Sequence, residues 1–222
     1  MIRAIAFDFD GVLVESMELK TKAFARLFAD EGHEVVERIV AYHLKNGGIS
    51  RFEKFRTIYR DILRRPLSEK QFHTLCEAYA KLVVEEVVSS PWVGGTEDFL
   101  GRYRERYLFF VISGTPEGEL REIVRRRGAD KFFTEVLGSP RTKDVLLRDV
   151  LQRHALTPTE LIFVGDAESD WNAARQTEVP FIWRQASSDT PRPRGFSGPC
   201  IPSLVHLGAC LSALEKREVV KG

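Results

Sequence analysis

The stretch Ala4-Ile5-Ala6-Phe7-Asp8-Phe9-Asp10-Gly11-Val12-Leu13 runs from mostly apolar residues directly into two acids and a glycine. An apolar run of this length predicts a buried strand of a parallel sheet. Side chains two residues apart in a strand point the same way, so Asp8 and Asp10 are expected to approach one point just outside the sheet. Gly11 permits a sharp turn there. Two neighbouring acids repel each other unless a cation or a shared proton lies between them. The pair therefore indicates a functional role rather than a purely structural one.

The rest of the chain divides into a helical block and a run of alternating strands and helices. Between residues 16 and 89 the apolar spacing predicts helices alone, and Pro91-Trp92-Val93-Gly94-Gly95 reads as a hinge or linker. Beyond it, short apolar runs predict further strands at 107–112, 132–137, 161–164 and 180–183, separated by helices. The segment 185–199 reads as an extended loop, and a last helix is expected from Ser203.

This alternation predicts an α/β fold with a doubly wound parallel sheet and an inserted all-helical cap. We expect residues 1–15 and 91–222 to form the α/β core and residues 16–90 to form the cap. Ligands of such sheets bind outside the carboxyl ends of the strands. The functional residues are therefore expected at those ends.

Composition and charge narrow the function classes. The chain has 222 residues, with 43% hydrophobic and 29% charged residues, which is typical of a globular protein with one domain or one domain plus an insert. Its formal net charge is +1, so the protein has no overall electrostatic field that would attract nucleic acid or an anionic membrane. The run Arg125-Arg126-Arg127 is interpreted as a solvated helix face. The three cysteines lack metal-ligand spacing, and we find no signal or membrane-spanning pattern, so a cytoplasmic location is expected.

Polar residues suited to phosphate chemistry follow the predicted strands. Ser113 and Gly114 lie between a strand and a helix, where a hydroxyl and backbone N–H groups can hold phosphate oxygens. Lys143 lies at a helix start, where a cation is unfavourable unless it faces anions. Asp166 and Asp170 follow another strand and can supply oxygen ligands to Mg²⁺.

Ordinary structural roles are open for each of these groups. The two acids of the first motif also fit a solvated turn, and Thr115 with Pro116 fits a helix cap beside Ser113. Lys143 also fits a solvated surface lysine. Asp166 and Asp170 also fit helix caps.

The motifs taken together resemble the haloacid dehalogenase (HAD) superfamily, and in particular its Mg²⁺-dependent phosphatases. The resemblance covers most of the chain and is carried by Asp8-Phe9-Asp10-Gly11-Val12-Leu13, Ser113, Lys143 and the segment Gly165–Asp170. It implies that Asp8 is the nucleophile and a metal ligand, and that Asp10 is the general acid and base and offers the metal its backbone carbonyl. It further implies that Lys143 pairs with the nucleophile and the phosphate, and that Asp166 and Asp170 complete the Mg²⁺ site. The chain departs from many relatives at Ala167, where they have Ser, and at Glu15, where they have Asp.

Single residues separate the branches of this superfamily. Its dehalogenases and phosphonoacetaldehyde hydrolases lack an acid two residues after the nucleophile, so Asp10 favours phosphoryl transfer to and from oxygen. The segment 44–51 resembles the cap loop of β-phosphoglucomutases and phosphoglycolate-phosphatase-like enzymes, which implies that Arg51, and Lys54 one helical turn on, contact a substrate anion. The alternative is that both are exposed basic residues at the start of a helix and do not contact the substrate. The mutases have His where this chain has Lys20, which disfavours a mutase.

The expected function is hydrolysis of a small phosphorylated metabolite, with Mg²⁺ and an aspartyl-phosphate intermediate. Two alternatives stay open. One is a β-phosphoglucomutase-like intramolecular phosphotransferase, and the other is a non-catalytic metabolite-binding protein. No nucleic-acid, membrane or obligatory protein partner is expected.

Overall fold

A computed structural model describes residues 1–187, 192–193 and 195–219. The strands in the described residues are β1 (Ala4–Phe7), β2 (Leu108–Pro116), β3 (Glu135–Ser139), β4 (Leu161–Gly165), β5 (Phe181–Arg184) and β6 (Cys200–Ile201). The α-helices there are α1 (Met17–Leu27), α2 (His33–Lys45), α3 (Arg51–Thr57), α4 (Glu69–Ser89), α5 (Thr96–Tyr103), α6 (Glu117–Arg126), α7 (Lys143–Arg153), α8 (Glu168–Gln176) and α9 (Leu207–Val219).

The six strands form one parallel sheet in the order β3-β2-β1-β4-β5-β6. β1 lies at the centre, and its last residue, Phe7, pairs with Val111 of β2 on one side and Val164 of β4 on the other. Helices cover the sheet on both faces. The predicted fold class, a doubly wound α/β sheet with a helical insertion, is confirmed.

The side chains of the central strands alternate between two apolar cores, as the period of a strand requires. Ile5 and Phe7 of β1 belong to a core that also contains cap-segment residues such as Phe24, Phe55 and Tyr79. The alternate residues of β1, Ala4 and Ala6, belong to the core on the opposite face of the sheet. The strands are therefore buried on both faces, which is why they read as continuous apolar runs.

The helices α1–α4 lie between β1 and β2 in sequence. Ser68 begins α4 with a capping box, since its side chain accepts a hydrogen bond from the N–H of Gln71 and its own N–H donates to the Gln71 side chain. The chain leaves β1 and returns to the sheet through adjacent segments, because the N–H of Glu15 donates to the carbonyl of Pro91 at 3.0 Å. None of the described helices is long and apolar enough to cross a membrane.

Three elements differ from the sequence prediction. β2 continues through Ser113 to Pro116, past the irregularity in its pairing with β3, so Thr115 lies in the strand and does not cap α6. Helix α5 and the two-residue strand β6 were not predicted. The loop predicted at 185–199 lies partly outside the described residues.

Candidate active site

The strand order brings the carboxyl ends of β2, β1 and β4 side by side. Asp8 directly follows β1, Ser113 lies near the end of β2, and Asp166 directly follows β4. All the candidate residues of the core therefore lie at one edge of the sheet, although they are separated by up to about 160 positions in sequence.

Three acids and one lysine form the centre of this edge. One carboxylate oxygen from each of Asp8, Asp166 and Asp170 lies within 4.8 Å of the others. The Nζ of Lys143, at the first position of α7, is 3.0 Å from Asp8 Oδ1 and donates to Asp170 Oδ1 at 2.5 Å. Asp170 is fixed from its other side, because its Oδ2 accepts the N–H of Ala167 at 3.0 Å. The structure thus brings together the four residues that the sequence placed on three different elements.

Burial and mutual repulsion perturb these acids. Burial raises the pKa of Asp8 to about 7; Lys143 opposes this shift, and Asp170 and Asp10 add to it. Burial, together with Asp8 and Asp170, also raises the pKa of Asp166 well above its ordinary value. Burial alone would lower the pKa of Lys143, but Asp170 and Asp8 raise it above its ordinary value, so the lysine is charged.

The acidic cluster fits a divalent cation. Its ligand atoms are carboxylate oxygens, which Mg²⁺ prefers, and two or three of them leave room for water and substrate in the coordination shell. Asp8 Oδ1 is buried and, apart from its ion pair with Lys143, has no hydrogen-bond partner among the described residues, so it can offer a lone pair to a cation. A cation bound here would relieve the repulsion that raises the pKa values of Asp8 and Asp166.

Asp10 has different neighbours, although it is only two residues from Asp8. Its Oδ1 accepts the Ser16 hydroxyl at 2.6 Å, and its Oδ2 accepts Lys20 Nζ at 2.5 Å and the Thr115 hydroxyl at 3.1 Å. Burial would raise the pKa of Asp10, but Lys20 and these hydrogen bonds lower it below its ordinary value. The Asp10 carboxylate lies outside the acidic cluster, and a metal contact through its backbone carbonyl stays a prediction.

Gly11 and Arg184 shape the turn that carries the first motif. Gly11 has φ +78°, and a Cβ atom there would lie 2.1 Å from Asp166 Oδ2, so no larger residue fits. The buried side chain of Arg184, at the end of β5, donates to the carbonyl of Gly11 at 3.0 Å and pairs with Glu15 at 2.5 Å. Glu15 therefore helps to fix this turn.

The predicted cap residues Arg51 and Lys54 are both buried and line a cavity that also contains Asp8 and Asp10. Arg51 forms an ion pair with Glu119 of α6 and lies over the ring of Tyr79 at 4.6 Å. The alternative prediction, an exposed basic helix start, is wrong for both residues.

The cap loop at Gly47 and Gly48 lies directly on the core. The Ser169 hydroxyl donates to the carbonyl of Gly47 at 2.9 Å. A Cβ atom at Gly114 would lie 2.4 Å from the carbonyl oxygen of Gly48, so Gly114 permits a close approach of the two backbones. This loop separates the cavity above Asp8 from a wider one of about 590 Å³ on its other side, lined by residues including Ser139, Lys143 and Asn172.

Comparison with known proteins places this arrangement in a family. The model of the haloacid dehalogenase-like hydrolases matches residues 5–184. The chain belongs to the haloacid dehalogenase-like hydrolase family. This confirms the resemblance and the predicted enzyme class, a phosphoric monoester hydrolase of the haloacid dehalogenase type.

Several members of this family are similar along most of their length. A phosphoglycolate phosphatase of Aliivibrio fischeri is 26% identical over 183 residues, which are 78% of this chain and 80% of the relative. A phosphoglycolate phosphatase of Synechococcus elongatus is 26% identical over 178 residues, and the alignment covers 79% of this chain and 80% of the relative. The crystal structure of a predicted phosphoglycolate phosphatase from Haemophilus somnus has the same fold, with a TM-score of 0.74, 18% identity, and 94% and 97% of the two chains covered.

The sequence missed three residues of this haloacid dehalogenase-like site. Lys20 and Thr115 hold Asp10, and buried His43 lines the cavity beside Lys54. Lys20 was considered only as a departure from the mutases, and Thr115 only as a helix cap. The sequence carried one usable signal, since Lys20 lies one helical turn after Ser16 and both are therefore on the side of α1 nearest the motif.

Proposed function

We propose that the chain is a Mg²⁺-dependent phosphatase that acts on a small phosphorylated metabolite through an aspartyl-phosphate intermediate. The observation that carries the proposal is the meeting of Asp8, Lys143, Asp166 and Asp170 at one edge of the sheet. The relatives that are phosphoglycolate phosphatases support it, and they make the phosphate ester of a short hydroxy acid the first substrate to test.

Asp8 is the proposed nucleophile. Its carboxylate attacks phosphorus, so that an oxygen–phosphorus bond to Asp8 forms while the bond to the leaving oxygen breaks. The charged Lys143, 3.0 Å from Asp8 Oδ1, balances charge on the nucleophile and on the phosphoryl oxygens. Ser113 and the backbone at Gly114 lie at the adjacent end of β2, where they can donate hydrogen bonds to the same oxygens.

Asp10 is the proposed proton carrier. In its protonated form it gives a proton to the leaving oxygen in the first step, and the carboxylate so formed takes a proton from the water that attacks the aspartyl-phosphate, which regenerates the protonated form for the next turnover. Lys20 and Thr115 fix the carboxylate from the cap and from β2, so both elements must be in place for Asp10 to act. This dependence couples the proton transfers to the position of the cap.

Mg²⁺ is proposed as the cofactor, held by Asp8, Asp166 and Asp170. When bound it supplies positive charge that polarises the phosphoryl group. The protein contributes the ligand geometry, since Lys143 and the N–H of Ala167 orient Asp170 within the cluster.

The test is phosphate release by the Asp8→Asn variant, which is expected to lose at least about 1,000-fold in kcat because an amide is not a nucleophile here. Asp98→Asn, an exposed acid in the first turn of α5, is the matched control and is expected to keep wild-type turnover. EDTA is expected to abolish activity and added Mg²⁺ to restore it. Near-normal turnover of Asp8→Asn, or indifference to EDTA, would contradict the proposal.

A further inference from the structure

Ser169 forms a direct polar link between the cap loop and the acidic segment, residues 166–170. Its hydroxyl donates to the carbonyl of Gly47 at 2.9 Å, across 122 positions of sequence. In the chain Ser169 lies between Asp166 and Asp170, and it is the second residue of α8. Because the contact is so close to these two acids, the position of the cap loop depends on the geometry of the acidic cluster.

The cap loop packs closely against this part of the core because small residues face each other there. A Cβ atom on Gly48 would lie 2.2 Å from Ser169 Oγ and 3.0 Å from Lys143 Nζ. Cβ atoms on Gly47 and Gly48 would each lie 3.3 Å from the Cβ of Ala167. The loop therefore rests directly on the acidic segment, with no side chain of its own between the two backbones.

The charges of the cluster favour a looser arrangement of the acidic segment when no cation is bound. Asp8, Asp166 and Asp170 place carboxylate oxygens within 4.8 Å of one another, and among the described residues Lys143 alone forms an ion pair with them. One positive charge cannot balance three ionised carboxylates. A divalent cation would supply the missing charge and favour the compact geometry in which the hydroxyl of Ser169 reaches the cap loop.

We propose that Ser169 is a positioning residue that couples occupancy of the divalent-cation site to docking of the cap loop. The inference rests on the Mg²⁺ site proposed above and adds how that site acts on the cap. Such coupling is reciprocal, because a cation that orders the acidic segment favours docking of the loop. The docked loop in turn raises the affinity of the acids for the cation by the same factor. The cap thus closes most readily over a site that already holds its cation.

Gly114 contacts the same loop from another side and allows an independent perturbation of it. A Cβ atom at Gly114 would lie 2.4 Å from the carbonyl oxygen of Gly48, and its three nearest atoms all belong to Gly48 and Ile49 of the cap loop. Gly114→Ala therefore displaces the loop from the side of β2, while Ser169 and the acids stay unchanged. If the proposal is correct, this displacement alone weakens cation binding.

The test is a calorimetric titration of the substrate-free protein with Mg²⁺. Ser169→Ala is expected to raise the Kd for Mg²⁺ about 5-fold, the effect of losing one neutral hydrogen bond. Gly114→Ala is expected to raise the Kd by a similar factor, although it changes no residue of the acidic segment. Because both substitutions break the same docking contact, the double variant is expected to lose about 5-fold in total, whereas independent effects would multiply to about 25-fold.

Hydrogen exchange of the cap loop gives a second measurement that does not depend on activity. In the wild type, the amides of residues 45–49 are expected to exchange more slowly with Mg²⁺ than without it. In Ser169→Ala they are expected to exchange at the same rate in both conditions. A purely structural role for Ser169 predicts faster exchange by the same factor with and without Mg²⁺, so the response to Mg²⁺ distinguishes coupling from general loosening.

Two control variants match the two substitutions. Ser212→Ala removes a hydroxyl that donates to the carbonyl of Gly208 within α9, and it is the control for Ser169→Ala. Gly118→Ala is the control for Gly114→Ala, since nothing lies within 4 Å of its Cβ position. Both controls are expected to keep the wild-type Kd and the wild-type response of the cap loop to Mg²⁺.

The possible outcomes separate this inference from the proposed function. A Kd that is unchanged in either Ser169→Ala or Gly114→Ala, a loss of about 25-fold in the double variant, or a wild-type cap loop that does not respond to Mg²⁺ would overturn the inference. Each of these results would leave the proposed phosphatase and its Mg²⁺ site intact. Failure of the wild-type protein to bind Mg²⁺ would instead overturn the proposed cofactor, and the inference with it.

Discussion

At the scale of one residue, Gly11 joins the first motif to the acidic cluster. Its φ of +78° disfavours any side chain, and a Cβ atom would collide with Asp166 Oδ2. We predict that Gly11→Ala lowers kcat at least about 100-fold by displacing Asp166, and lowers the free energy of unfolding by about 1–2 kcal/mol. Gly128 is the control, because its φ is +65° and a Cβ atom there meets nothing within 4 Å. Gly128→Ala is expected to lose similar stability, measured by urea unfolding, and to keep its turnover.

Lys54 gives the stability of the protein a specific pH dependence. Its pKa is about 7 in the fold, lowered from 10.5 by burial and by Lys20 and Lys143, while Asp10 opposes the shift. Its other neighbour, His43, is neutral, because burial and Lys54 lower the pKa of His43 to about 3. Between pH 7 and 10.5 Lys54 therefore binds a proton in the unfolded chain but not in the folded one, so the free energy of unfolding increases as pH rises through this range. The penalty of the buried charge is complete below pH 7.

We predict that Lys54→Met is more stable than the wild type, by a few kcal/mol at pH 6. The gain should shrink by about 1.4 kcal/mol per pH unit above pH 7, because the wild type then sheds the buried charge. Urea unfolding at pH 6, 8 and 9.5 measures this gain in the free energy of unfolding. Lys81→Met, which removes an exposed lysine of α4, is the control and is expected to show no such trend. A gain that is constant over this range would contradict the assigned charge state of Lys54.

The acids of the site could be predicted from the sequence, whereas their partners could not. Asp8 and Asp166 directly follow apolar runs, Asp170 lies shortly after Asp166 in α8, and parallel strands place such ends together. Thr115 contacts Asp10 across 105 positions of sequence. A pairing of this kind depends on the fold, and the local pattern instead favoured a helix cap.

At the scale of elements, the strands that are buried on both faces of the sheet could be predicted from the sequence. β1 and β4 are continuous apolar runs, and their bounds were close to those predicted. β6 has two residues and pairs at the edge of the sheet, which is too short for a periodic signal. The end of β2 was missed because its residues Ser113–Pro116 are typical of a turn and are extended here by pairing with β3.

Contact between the cap loop and β2 is an element-scale property that one methyl group can test. A Cβ atom at Gly114 would lie 2.4 Å from the Gly48 carbonyl oxygen, so Gly114→Ala must move the loop away from the site. We predict that kcat/KM falls at least about 10-fold while thermal stability changes little. Gly118→Ala in α6 is the control, since nothing lies within 4 Å of its Cβ position. If both variants have the same kcat/KM, the loop contact does not contribute to catalysis.

At the scale of the whole molecule, one apolar core joins the helices α1–α4 to the sheet. Phe24 and Phe55 of these helices belong to the same cluster as Phe7 and Val111 of the sheet. We propose that residues 1–15 and 91–222 form the core and 16–90 the cap, as the sequence predicted, and that the two unfold together. A shared core makes separate folding of either part unfavourable, because each would expose the apolar face that the other covers.

Arg127 tests this coupling, because it connects α6 to the segment where the chain leaves the cap. Although the sequence suggested a solvated face, its guanidinium donates to the carbonyls of Val87, Val88 and Ser90 at 2.7–2.8 Å and lies 3.9 Å from the Trp92 ring. We predict that Arg127→Met lowers the free energy of unfolding by about 1–3 kcal/mol, since three part-buried carbonyls lose their donor.

The measurement is scanning calorimetry against Arg125→Met, an exposed neighbour that pairs only with Glu122 among the described residues. That control is expected to stay within about 0.5 kcal/mol of the wild type. Because cap and core share one apolar cluster, Arg127→Met should shift a single transition to lower temperature without splitting it. A separate low-temperature transition in this variant would show instead that the cap unfolds independently of the sheet.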